Sequence, residues 1–124
     1  MPSIAIIGAS NDPQKYGHAA VLAFLRAGWT VFPVHPTEPL VEGQTAFGSV
    51  KDVPQPLDWI SVYVPSGIGE KLLPQLAEVD AKEIWFNPGS ASPELLRMAK
   101  AELKYKVVSG CSIRAIGMDP HDFF

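Results

Sequence analysis

The sequence predicts an α/β fold with an open, parallel, doubly wound sheet of five strands in the order 3-2-1-4-5. Three observations carry this. Short apolar runs alternate with segments of helical period, the mark of parallel strands joined by crossover helices. The first run, Ile4-Ala5-Ile6-Ile7, is apolar on both faces, as a strand covered by helices on each side must be. Each run stops at a turn-forming residue, glycine, proline, asparagine or serine. Right-handed crossovers leading out from the first strand in both directions give the order.

The first strand spans Ser3 to Ile7 and breaks at Gly8. A polar turn, Ala9 to Lys15, precedes a helix from Tyr16 to Ala27, with Ala20, Phe24 and Ala27 on one stripe and Gly28 as its stop. Trp29 to Phe32 reads as the second strand, stopped by Pro33-Val34-His35-Pro36. Residues 37–57 read as irregular, with a brief pairing at Thr45-Ala46-Phe47. Asp58 to Val64 is the third strand and Pro65-Ser66-Gly67 its end. The second helix carries Ile68, Leu72, Leu76 and Val79 at helical spacing, with Pro74 either in a late first turn or at a kink. Glu83 to Phe86 is the fourth strand, closed by Asn87-Pro88-Gly89. Ser92-Pro93-Glu94 reads as N-cap, N1 proline and acidic first turn of a helix burying Leu95, Ala99 and Leu103. Lys106 to Val108 is the fifth strand, ending at Ser109-Gly110-Cys111, and the tail allows one more helical turn.

A chain of 124 residues suits one domain with a substantial core. A net charge of −3 argues against nucleic acid or an anionic membrane surface as partner. A single cysteine forms no internal disulfide, and no apolar run approaches the roughly 18 residues of a spanning helix. The first strand begins almost at once, leaving no space for a cleavable leader. A cytoplasmic location is the expectation.

Parallel strands bring their ends to one rim, and the crevice of such sheets opens where the strand order reverses. Here the ends are small and neutral, so backbone can approach a flat or extended nucleotide-like ligand. Gly8-Ala9-Ser10 with Gly17 departs from the G-x-G-x-x-G dinucleotide pattern. Backbone N–H groups, Ser10 and the Lys15 ammonium together suit a phosphate; the alternative is that Ser10 and Asn11 cap the turn and Lys15 is a solvated charge. His35 stands at the second strand's end, where NAD-binding units carry an acidic residue for the ribose. No catalytic constellation is visible: Cys111 has no sequence-local activating partner, His121 and Asp119 lack metal-ligand spacing, and no paired carboxylates flank a strand end.

Ile7-Gly8-Ala9-Ser10, Lys15-Tyr16-Gly17-His18 and Gly28-Trp29-Thr30-Val31-Phe32-Pro33-Val34-His35-Pro36 resemble the small CoA-binding-domain proteins, stand-alone relatives of the CoA-binding domain in the succinyl-CoA synthetase alpha subunit. Trp85-Phe86-Asn87-Pro88-Gly89 and Val107-Val108-Ser109-Gly110-Cys111 extend the likeness over roughly Ser3 to Ile116. The resemblance implies a single Rossmann-like, three-layer domain over 1–124 that binds coenzyme A or an acyl-CoA. It implies that Gly8, Ala9, Ser10, Asn11, Lys15, Tyr16 and Gly17 surround the phosphates and that Pro33, Val34, His35 and Pro36 lie by the adenosine. Val64, Pro65 and Ser66 with Asn87, Pro88 and Gly89 would flank the pantetheine arm, and Cys111 completes the set. Three departures stand out: His35 replaces the usual Asn, Asn87 the usual Gln, and Tyr63 to Gly67 lacks the Arg and Glu of many members. The resemblance supports binding and supplies no reaction. A nucleotide-binding subunit of an NAD(P)-dependent oxidoreductase, or an interaction module with a vestigial site, are the other readings, and a protein partner or homo-oligomer stays open.

Overall fold

A computed structural model describes residues 1–124. Five strands form one parallel sheet: β1 (Ser3–Ile7), β2 (Thr30–Val34), β5 (Leu57–Val62), β6 (Ala81–Phe86) and β7 (Lys106–Ser109), ordered β2-β1-β5-β6-β7. A short antiparallel hairpin, β3 (Leu40–Val41) and β4 (Gln44–Thr45), lies in the stretch expected to be irregular. The helices are α1 (Tyr16–Arg26), α2 (Ser66–Leu76), α3 (Pro93–Glu102) and the short α4 (Ser112–Ala115). None is long and apolar enough to cross a membrane.

The doubly wound pattern is present, with its numbering shifted. The outermost place, beyond β2, is held by a single parallel bridge between Val34 and Phe47. The Leu57–Val62 strand, counted third in the sequence, therefore takes the fourth place and pairs with β1 on the side away from β2. The reversal point falls between β1 and β5.

Side chains alternate across β1. Ala5 and Ile7 enter a core with Ile60, Leu73, Phe86 and Leu95 beneath α2 and α3, while Ile4 and Ile6 enter a second core with Ala20 and Phe24 of α1. Ile4, Ala5, Ile6 and Ile7 are all buried, which is why β1 carries no polar residue beyond Ser3.

Two expectations shift. β2 does not stop before Pro33 but runs through it to Val34. Pro33 accepts from the Phe47 N–H at 2.9 Å, so its main-chain groups face the outer edge of the sheet, and its missing N–H leaves the ladder to β1 intact. Helix α2 starts at Ser66, keeps Pro74 inside, and buries Gly69, Leu73 and Leu76; Ile68 is exposed. The Ser92 cap on α3 forms as expected, its Oγ accepting from the Leu95 N–H at 3.0 Å.

Candidate functional site

The carboxyl ends of the five strands gather along one edge, in the order His35, Gly8, Val64, Pro88, Cys111 across the sheet. A cavity of about 560 Å³ opens there beside the reversal point.

Its floor is the turn after β1. Gly8 adopts φ +87°, and a side chain there would meet the Tyr63 backbone at 3.1 Å. Gly17 is tighter: an added Cβ would lie 2.0 Å from the Gly8 carbonyl oxygen. Only glycine at both positions lets the first turn of α1 rest on the loop backbone. The turn is held from within, as Ser10 Oγ accepts from the Asp12 N–H at 3.0 Å and Asp12 Oδ1 from the Gln14 N–H at 2.9 Å. Lys15 is the N-cap of α1 and supplies no side-chain cap. The N–H groups of Tyr16 and Gly17 consequently have no protein acceptor, and neither does that of Ser10. The Lys15 ammonium is exposed and unpaired on the same wall.

Asn11 does not line the cavity. Its amide donates to Leu40 O at 2.8 Å and its Oδ1 accepts from the Glu42 N–H at 3.1 Å, so it ties the turn to the β3–β4 hairpin. Buried His18 adds a second tie through Nε2 to the Glu42 carboxylate.

At the end of β2, His35 and Pro36 reach the cavity, whereas Pro33 and Val34 are buried in the sheet. His35 Nδ1 accepts from the N–H groups of Thr37 (3.1 Å) and Glu38 (2.9 Å), which makes Nε2 the N–H of the neutral ring. Val64 and Pro65 form the wall after β5; Ser66 sits behind it as the first residue of α2. Pro88 and Gly89 form the wall after β6. The sequence reading missed Gln14, Tyr63 and Ser90, which also face the cavity. Gln14 and Ser90 sit one position away from named residues, and Tyr63 alternates with buried Val62 as any strand neighbour does.

Asn87 is placed behind the wall and is 1% exposed. Its Nδ2 donates to Ser61 Oγ (2.8 Å) and Val62 O (2.9 Å), and its Oδ1 accepts from the Ser112 N–H (2.9 Å). Ser112 Oγ lies 2.7 Å from Ser61 Oγ and 3.1 Å from the Tyr63 hydroxyl. Burial pushes the Tyr63 phenol up to about 12, against the opposing pull of its hydroxyl partners. Asn87 thus fastens the ends of β5, β6 and α4 together, with both its donors used. Cys111 is half-buried and lines a smaller annex of about 200 Å³ together with Asn87.

A CoA binding domain family model matches residues 2–116. The chain belongs to that family. Among relatives, the uncharacterized protein YneT of Bacillus subtilis is 30% identical over 112 residues, 87% of this chain and 80% of that protein. The ADP-forming acetate–CoA ligase II subunit alpha of Pyrococcus furiosus is 37% identical over 83 residues, 65% of this chain but only 18% of the subunit. Among solved structures, a conserved hypothetical protein from Pyrococcus furiosus superposes with TM-score 0.83 at 30% identity, over 93% of this chain and 99% of that one. The dinucleotide-forming acetyl-coenzyme A synthetase 1 of Ca. Korarchaeum cryptofilum, solved with phosphate and ADP, matches with TM-score 0.72 at 27% identity over 85% of this chain and 25% of its own. This CoA binding domain therefore corresponds to about a fifth to a quarter of the long ligases and to most of the short relatives.

Proposed function

We propose that residues 1–124 form one domain that binds coenzyme A or an acyl-CoA along the carboxyl edge of the sheet, without a reaction of its own. The observation that carries this is the row of unpaired N–H groups at Ser10, Tyr16 and Gly17 beside an unpaired Lys15, on the floor of a cavity in a CoA binding domain. Phosphate oxygens supply the acceptors those groups lack, and the helix start favours their charge. His35 and Pro36 offer a shelf and one ring N–H for the adenosine. Val64, Pro65, Pro88 and Gly89 offer neutral walls to the uncharged arm. In coenzyme A the phosphates lie between the adenosine and the arm, and across the strand ends the phosphate turn after β1 lies between His35 after β2 and the neutral walls after β5 and β6. Cofactor chemistry enters only as a thiol or thioester held in place; the chain's residues bind and orient it.

Thermal unfolding with CoA, acetyl-CoA, NAD and NADP tests the reading. CoA and acetyl-CoA should raise the midpoint, by an amount equivalent to about 2.7 kcal/mol at a hundredfold excess over Kd, and the dinucleotides should not. A shift with NAD or NADP alone would transfer the assignment to an oxidoreductase subunit. No shift with any of the four would leave an interaction module.

A further inference from the structure

The annex beyond the main cavity has chemistry the binding reading does not use. The two share Tyr16, Tyr63 and Pro88 as lining residues, so the annex adjoins the main cavity. Its far wall follows the end of β7, three strand positions beyond β1. At parallel-sheet spacing this is roughly 14 Å along the rim from the phosphate turn, the direction an extended arm must take once its phosphates sit at Gly8. The far wall holds Cys111, Arg114 and His121, and no carboxylate lines it.

Arg114 is weakly engaged. Its guanidinium approaches Asp119 Oδ1 only to 3.6 Å, and both side chains are about half exposed. Asp119 Oδ1 is already the acceptor for the His121 main-chain N–H at 2.9 Å. An exposed pair at that separation holds its partner loosely, and guanidinium retains further donors in a planar fork suited to carboxylate.

We propose that the annex receives the acyl end of a CoA thioester and selects acyl groups that end in a carboxylate, with Arg114 as the anion partner and the His121 ring beside it. This rests on the coenzyme A reading and deepens it. A terminal carboxylate is the acyl feature that a lining with one guanidinium and no anionic group separates from hydrocarbon of equal length. Arg114 and His121 are then specificity-determining residues.

Titration calorimetry with free CoA, butyryl-CoA and succinyl-CoA tests this, the two thioesters matching in acyl carbon count. Succinyl-CoA should bind about tenfold tighter than butyryl-CoA, and the gap should narrow as salt rises. Arg114→Gln should bring succinyl-CoA down to the butyryl-CoA level and leave butyryl-CoA unchanged. Asp119→Asn, which keeps the Oδ1 acceptor while removing the competing charge, should tighten succinyl-CoA a few-fold. Equal affinity for the two thioesters in the unaltered protein overturns the proposal while free CoA still binds and the broader reading stands. Failure of all three ligands to bind overturns both.

Discussion

At the β1–β2 end of the rim three main-chain N–H groups stand unpaired; at the β5–β7 end four polar side chains pair with one another. Ser10, Tyr16 and Gly17 leave N–H groups without acceptors, while Asn87, Ser61, Ser112 and Tyr63 close on themselves. Unpaired donors persist at low cost only where water or a ligand reaches them, and the first end is open. Buried polar groups must be satisfied internally, and the Asn87 network at the second end closes on itself. One end is thus built to complete its hydrogen bonds with something brought from outside. The other is built so that the strand ends keep their spacing whatever is bound. Substitutions should separate binding from stability accordingly.

The sharpest break is Gly17→Ala, because this residue serves both requirements. A Cβ 2.0 Å from the Gly8 carbonyl oxygen has no flexible side chain to displace; the contact is backbone, so α1 or the turn must move. The cost should approach about 3 kcal/mol, the upper part of the usual overpacking range. CoA affinity should fall below detection because the donor row is lost with the helix start. A well-folded Gly17→Ala protein that binds normally would show that the close contact at the turn is dispensable.

Asn87→Ala comes next and should act on stability alone. It removes two donors and an acceptor from a buried network and strands the Ser112 N–H, while Val62 O keeps the main-chain N–H of residue 87 at 3.3 Å. The expected loss is about 2 kcal/mol in urea unfolding, with CoA affinity of the remaining folded protein within about twofold. A large loss of affinity with little loss of stability would make Asn87 a ligand contact and erase the difference between the two ends.

That difference was only half legible in the amino-acid sequence. The open end was readable because its signals are local: Gly8 ends an apolar run, Gly17 follows within one helical start, and Lys15 stands between them. The closed end was not, since Ser61, Asn87 and Ser112 meet across separations of 26 and 25 residues and nothing local in any of them records the others. Asn11 was misleading for a related reason. A turn residue with an amide looks like a ligand group, but its partners belong to a hairpin about 30 residues on that carries no strong strand signal. The count of five strands holds, while the parallel bridge at Phe47, within the brief pairing expected at Thr45-Ala46-Phe47, is too short to show alternation. Helix ends, by contrast, were set by single residues, Ser92 with Pro93 and Gly28, and those were read directly.

Lys15→Ala probes the open end more gently. The ammonium is exposed and has no partner, so its removal should leave the unfolding midpoint unchanged. CoA affinity should drop about three- to tenfold at low salt, and the deficit should shrink as salt rises, since an exposed charge–phosphate contact is screened within about 10 Å at 0.1 M. Affinity that is equal to the unaltered protein's at low salt would mean that the main-chain donors act without the lysine.

The smallest expected effect lies at the opposite edge of the sheet and serves as the control for the comparison. Asp58 accepts the Ser3 N–H at 2.8 Å and pairs with Lys82 at 3.0 Å, joining the starts of β1 and β5. The Ser3 N–H, and after it Lys82, hold the Asp58 carboxyl below the usual carboxylate range. With the folded value depressed, the unfolded chain binds more protons in the interval between the two values. The stabilisation is therefore full above the ordinary aspartate value near about 4 and is lost as pH falls through the lower, folded value. Asp58→Asn should be slightly less stable than the unaltered protein at pH 6, and the gap should close as pH falls below about 4 and through the lowered folded value. CoA affinity at pH 7 should be the same in both proteins, because this contact fixes where β1 and β5 begin and not how they end. A stability gap that stays constant down to pH 2 would remove the charge of Asp58 from the account, and a change in affinity would mean that the two edges of the sheet are mechanically coupled.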